Sequence, residues 1–194
     1  MKYDPFDFLE QAAEEVAPRL LGCYLEHEID GYKLVGKILE TEAYDQTDAA
    51  SHSYRGQTPR TEVMFGPAGR LYVYFTYGMH YCCNVVCGPV GHGSAVLVRA
   101  VEPLAGQDVM RQNRHGLADH QLTNGPAKFC QAFGIDKRWN GHDLHQEPFR
   151  LIVQPKLRQT DVVQTTRVGI SQAKDVPWRF YVRGNPYVSK PVVG

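Results

Sequence analysis

Ile38–His52 reads ILETEAYDQTDAASH and Leu71–Asn84 reads LYVYFTYGMHYCCN, and the architecture of the chain follows from these two stretches. Leading into the first, Tyr32, Leu34, Ile38, Glu40, Glu42 and Tyr44 fall on one parity of a period of two, the mark of a strand whose alternate side chains share a face. Asp30-Gly31 then joins this strand, Tyr32 to Tyr44, to a shorter one at Cys23 to Ile29 as a hairpin. In the second stretch, Leu71 to Phe75 and His80 to Val86 are rich in aromatic and β-branched residues. The Thr76-Tyr77-Gly78 break between them supplies the turn, which predicts a protruding hairpin with Tyr77 at its tip.

Outward from these elements, further strands are expected at Ala95 to Val101, Phe149 to Val153, Thr166 to Ile170 and Phe180 to Val182. Asp4-Pro5 opens a helix running towards Glu15, Pro18 begins another short turn closed near Gly22, and Ala105 to Asn113 is helical. The polar run Asn113 to Thr123 reads as a loop, and Pro126 suits the first position of a short helix ending near Gly134. Hairpins with few βαβ alternations give an α+β fold, with flanking helices on a mixed, mainly antiparallel curved sheet. The 194 residues, 43% hydrophobic and 22% charged, fill one domain spanning 1–194 and are too few for two ordinary ones.

The strand Tyr32 to Tyr44 is mostly apolar yet carries two carboxylates on one face, and buried charges cost several kcal/mol unless paired or used. Glu42 and Tyr44 stand about 7 Å apart along that face, a spacing at which one group can meet a sugar carbon while the other covers the attached ring. The plainer alternative leaves Glu40 and Glu42 solvated at a strand end. Among the hairpin tyrosines, Tyr72 and Tyr81 read as sheet packing. Tyr74 and Tyr77 stand apart, and a ring exposed at a hairpin tip can act as a wedge between stacked bases.

Net charge is zero, but its distribution is uneven. Residues 1–54 carry a net −8, residues 55–138 a net +4 and residues 139–194 a net +4, so an acidic first third precedes two basic stretches and predicts a one-sided positive surface. Arg55, Arg60, Lys128 and Arg183 are the candidate phosphate contacts, each equally explained as a solvated charge. Gly125 and Pro126 start a helix whose free amides would face a phosphate with Lys128 close by, or are simply a helix cap. Cys23, Cys82, Cys83, Cys87 and Cys130 are an odd number without a signal peptide, which favours reduced thiols in a cytoplasmic, or in a eukaryote nuclear, protein. Adjacent Cys82 and Cys83 point to opposite faces of a strand and no second paired motif exists, so no metal site is expected. No apolar run approaches 18 residues, so no membrane span is expected either.

The strings ETEAY, AxH after a short acidic loop, TPR, MF, GxLYVY, YGM, Asn84 seven residues past the tip Tyr, VLVRAVEPL, NGPAKxCQA, RVGI and RFYVRGNPYVS occur in one order from about Ala17 to Ser189. Any one is weak, but the collinear set resembles the alkyladenine (3-methyladenine) DNA glycosylase family. The resemblance implies that Glu42 is the general base that deprotonates the attacking water, that Arg99 helps to hold that water and that a backbone carbonyl near Val168 is the third contact. It implies further that Tyr44, His52 and Tyr74 wall the base pocket, that Asn84 screens purines against the exocyclic amine of guanine and that Tyr77 fills the hole left in the duplex. One departure is visible: the family's pattern carries a His shortly after RVG, whereas this chain continues Val168-Gly169-Ile170-Ser171-Gln172.

Such a protein would work by extruding a nucleotide from the stack, which costs a few kcal/mol and less for damaged bases. Aromatic walls return about 1–3 kcal/mol per stacked base, and a cationic alkylated purine gains about 0.5–2 kcal/mol more over Tyr faces. An adjacent Arg favours the ionised form of a carboxylate, and Glu42 with Arg99 fits that arrangement if both face one cavity. No Lys lies in the motifs that line the implied pocket, so a Schiff-base route is not expected and neither is a cofactor. The implied activity is a monofunctional glycosylase, acting as a monomer on double-stranded DNA with alkylated or deaminated purines (3-methyladenine, 7-methylguanine, hypoxanthine, ethenoadenine). Two rival classes are a non-catalytic damaged-DNA binder, which would need no acid at position 42, and a carbohydrate glycosidase, which normally needs a second acid across the bond.

Overall fold

Thirteen consecutive residues, Tyr32–Tyr44, form one long strand (β2), and the fold is organised by what pairs with its two edges. In the computed structural model, which describes residues 4–76 and 78–190, the first half of β2 pairs antiparallel with β1, Tyr24–Ile29. Asp30 and Gly31 make the turn with φ of 52° and 78°, the left-handed pair that matches the twist of the flanking strands. Beyond the end of β1 the same edge takes β8, Arg179–Val182, while β5, Ala95–Ala105, runs along the opposite edge.

The hairpin of β3, Leu71–Thr76, and β4, His80–Val86, adds to the far side of β5. With β6, Phe149–Ile152, on β1 and β7, Val162–Thr165, on β8, the sheet reads β3-β4-β5-β2-β1-β6 with β7 and β8 off that path. Each described pairing is antiparallel. A helix α1, Ala13–Leu20, buries Ala13, Val16, Ala17 and Leu20, the i, i+3, i+4, i+7 stripe that seats a helix on a core. Two further helices, α2 (Gln107–Asn113) and α3 (Asp119–Leu122), precede α4 (Pro126–Ala132), which contributes Phe129, Cys130 and Ala132 to that core.

Four local expectations are corrected. The helix from Asp4 towards Glu15 is instead a 3-10 turn at Asp7–Glu10, then extended backbone at Gln11 and Ala12, then α1. Pro18 lies inside α1 rather than opening a new turn; so near the helix end it removes one internal donor without stopping the helix. The loop Asn113 to Thr123 contains α3, whose Leu122 is buried. The strand expected at Thr166 to Ile170 does not form: the strand is β7, one segment earlier, and the chain then leaves the sheet, with Gly169 at φ +78°. The reason is Arg167, whose side chain turns inwards to the Ala43 carbonyl and the Asp48 carboxylate.

Candidate active site

Two compensating irregularities in the β2–β5 ladder build the site. The register shifts on either side of Glu40, so Leu39 on β2 and Arg99 on β5 are each left without an opposed residue. A bulge re-aims the side chains around it. Here it brings Arg99 between two carboxylates, 2.9 Å from Glu40 through Nε and 3.2 Å from Glu42 through Nη1. Glu40 and Glu42 are both fully buried, so neither is the solvated strand-end acid that the sequence allowed.

Glu42 lies on the wall of a cavity of about 500 Å³. Its Oε2 accepts the hydroxyl of Tyr44 at 2.9 Å, and its Oε1 accepts the backbone N–H of Val168 at 2.7 Å. At Val168 the contact shown is therefore an amide donor on the carboxylate, where a carbonyl facing water had been expected. Each contact has a local cause: Tyr44 is two residues along β2 and shares the face, and Val168 follows the inward-turned Arg167.

The opposite wall comes from the β3–β4 hairpin. Tyr72 and Tyr74, alternate residues of β3, stack with ring centres 5.5 Å apart. His52 meets Tyr74 edge-on at 4.6 Å and puts Nδ1 3.0 Å from the Tyr72 hydroxyl. Asn84, opposite Tyr72 in the register, donates Nδ2 to the Tyr72 carbonyl at 3.0 Å, which fixes the amide against the cavity.

The loop after β2 is pinned by Asp45, which accepts Ser94 Oγ at 2.8 Å and lies 2.7 Å from His92 Nε2. A buried Asp48–Arg167 ion pair pins it a second time.

The electrostatics follow burial. The Tyr44 phenol is raised well above its usual range, first by burial and then by the Glu42 carboxylate to which it donates. Burial raises Tyr74 similarly, with Cys82 adding to it, and pushes the Cys82 thiol up to about 11. His52 is exposed at the rim, yet the protein packed around its inner edge, with the charge of Arg60, lowers it to about 4. Burial alone would weaken the Arg99 charge, but Glu42 and Glu40 outweigh it and raise its pKa.

Glu42, Tyr44, His52, Tyr74, Asn84, Arg99 and Val168 all line this one cavity. Of the candidate phosphate contacts, Arg60 lies beside it, 5.7 Å over the Tyr74 ring. Arg55 is exposed, Lys128 is held by Asn124 Oδ1 at 2.8 Å, and Arg183 is exposed with Nε 3.1 Å from the Thr160 carbonyl. Gly125 caps α4, whose Pro126 reaches the cavity. Tyr77 lies outside the described residues. Tyr72, read from sequence as packing, and Cys82 also line the cavity; their parity with Tyr74 and Asn84 was the available signal. Cys83 points the other way, into the core. No group of three or more His, Cys, Asp or Glu side chains able to hold a metal ion occurs among the described residues, and no helix among them is long and apolar enough to cross a membrane.

A buried carboxylate flanked by a guanidinium, an amide N–H and a phenol faces stacked rings across a cavity of about 500 Å³, a size typical of small-ligand sites and a set of groups suited to a base-excising hydrolase. The chain belongs to the methylpurine-DNA glycosylase (MPG) family, which it matches over residues 7–186. It is a DNA glycosylase of DNA repair. Its relatives include proteins named "Putative 3-methyladenine DNA glycosylase". The protein of Carboxydothermus hydrogenoformans is 51% identical over 96% of this chain and 98% of its own. Those of Nitrosospira multiformis and Methanoculleus marisnigri are 46% and 49% identical, over 98% and 96% of this chain and 95% and 98% of theirs.

Proposed function

We propose that this glycosylase flips damaged purines out of double-stranded DNA and hydrolyses their N-glycosidic bond with Glu42 as general base, leaving an abasic site without cutting the strand. The observation that carries the reading is the placement of Glu42, wholly buried yet on the wall of the aromatic cavity and held by two hydrogen bonds and an ion pair. A carboxylate has about four acceptor positions, and the two hydrogen bonds leave room for the O–H of a water. That water attacks the sugar carbon as the bond to the base breaks, its proton passes to Glu42, and the purine leaves with the bonding pair. The transition state is cationic on the sugar, and the Glu42 charge stabilises it.

Tyr44 and Tyr74 stack on the extruded base, His52 meets its edge, and Asn84, tied to the Tyr72 carbonyl, rejects the guanine amine. 3-Methyladenine, 7-methylguanine, hypoxanthine and ethenoadenine are the proposed substrates. Tyr77 is proposed to fill the vacated position in the duplex, with Arg55, Arg60, Gly125, Lys128 and Arg183 on the backbone of the damaged DNA and the protein acting as a monomer. A pure damage binder has no need of a buried acid so held, and the partners of Glu42 include no second carboxylate across a bond as a carbohydrate glycosidase would use.

The test is to incubate the protein, without metal or nucleotide, with duplexes carrying each lesion, and then to treat them with hot alkali. Strand breaks that appear only after alkali support the reading. Breaks before alkali, or a borohydride-trapped covalent complex, contradict the hydrolytic route, and Tyr77→Ala should bind damaged duplex more weakly.

A further inference from the structure

Glu40 is as deeply buried as Glu42 and is held by more groups. Its Oε1 accepts Arg99 Nε at 2.9 Å, Arg179 Nε at 2.7 Å and Ser189 Oγ at 2.9 Å, and its Oε2 accepts the Ser189 N–H at 2.7 Å. Arg99 is thus gripped through Nε by Glu40, touches Ser189 Oγ with Nη2 at 3.3 Å, and reaches Glu42 with Nη1 alone. That last contact is conspicuous because guanidinium and carboxylate favour a parallel, two-bonded pair.

The count of acceptor positions on Glu42 gives the contact a consequence. Tyr44 and Val168 each hydrogen-bond to one, Arg99 Nη1 stands 3.2 Å away as an ion pair, and a carboxylate offers about four. If Arg99 turned to bind Glu42 through two nitrogens, the remaining two would be filled and no position would remain for a water O–H. We infer that Glu40 is a positioning residue for base excision: it holds Arg99 by Nε, keeps the guanidinium from closing onto Glu42, and so preserves the acceptor that takes the proton of water. The inference rests on Glu42 being the general base.

Arg179 provides the control. It is as buried as Arg99 and bonds the same Glu40 oxygen, but it does not line the cavity. Four proteins are compared: the natural chain, R179M, E40Q and E40Q/R179M. E40Q leaves two buried cations against one anion; the double variant removes one charge of each sign and restores the balance. Single-turnover release of hypoxanthine or 3-methyladenine is measured beside affinity for a duplex bearing a tetrahydrofuran abasic site, with the folded fraction read from urea titration.

E40Q and E40Q/R179M are expected to release base about tenfold or more slowly at affinities within about threefold of the natural chain, while R179M keeps its rate within about threefold. Release by E40Q, or by the double variant if E40Q does not fold, at the R179M rate overturns the inference. Equal slowing of R179M and E40Q overturns it too, because both would then act through packing. If E42Q keeps full activity, the assignment of the base fails instead, which separates that failure from this one.

Discussion

Arg167 and Asp48 form a buried ion pair with side chains 0% and 2% exposed. Arg167 also donates to the Ala43 carbonyl at 2.9 Å, and its guanidinium lies 4.8 Å over the ring of Tyr44 and 5.4 Å over that of Trp178. One side chain therefore ties the loop after β2 to the segment after β7, and the next residue, Val168, delivers its N–H to Glu42. Removing one partner of a buried pair leaves the other charge without compensation. Arg167→Met should cost about 3–5 kcal/mol of unfolding free energy and also slow base release, because Val168 and Tyr44 lose a common support. An unchanged urea midpoint would show that the pair contributes nothing.

Glu42→Gln keeps the shape of the side chain and removes the proposed base. Release of a damaged purine should slow by about 10²–10⁴-fold, the usual worth of a positioned base, with damaged-duplex affinity preserved. Gel-shift affinity and single-turnover rate measured on one preparation separate the two quantities, and a parallel loss of both would assign Glu42 to folding.

Tyr74→Ala removes a ring from the cavity wall and the edge-on partner of His52. Stacking is worth about 1–3 kcal/mol per base, so binding of a flipped lesion should weaken by about five- to 150-fold. Affinity for an abasic duplex, which offers no base to stack, should change little. Equal losses on both duplexes would place Tyr74 outside the base contacts.

Acid should destabilise the fold in a window set by buried histidine. His27 is wholly buried, with Nδ1 2.8 Å from the Phe133 carbonyl, and among the described residues its Nε2 has no hydrogen-bond partner. Burial lowers its pKa below 6.5, outweighing the Phe133 carbonyl, and His142 lowers it further. The unfolded chain then binds the proton first. The stabilisation is complete above about pH 6.5 and is lost as pH falls below it. His52, lowered to about 4, has the same sign in the same window. Urea titrations between about pH 7 and 5 should show stability falling with acid, and less steeply in His27→Phe. Identical slopes would refute the role of His27.

Much of the scaffold could be read along the chain because it rests on short-range rules. Alternation marked β2, the Asp-Gly pair marked its hairpin, and Pro126 marked the start of α4. The parity of Glu40, Glu42 and Tyr44 placed both acids on one face, as the shared contact with Arg99 shows. What failed were segments where a distant contact overrides local preference. Thr166 to Ile170 looks like a strand, but Arg167 is drawn inwards by Asp48 and Ala43, more than 110 residues away. Glu40 looked like a strand-end acid because its partners, Arg99, Arg179 and Ser189, are 59, 139 and 149 residues distant.

By itself the sequence determined the alternation of β2, its hairpin turn and the start of α4, since each depends on neighbours within a few residues, and its collinear motifs pointed to most of the side chains that line the cavity, though not to Tyr72 or Cys82. Only the tertiary structure decided which carboxylate faces the cavity with an acceptor to spare and which is spent holding Arg99. That division comes from the bulges around Glu40 and from Ser189 reaching back to it, and charges buried in a medium of low dielectric answer to whatever the fold sets beside them, however remote in the chain.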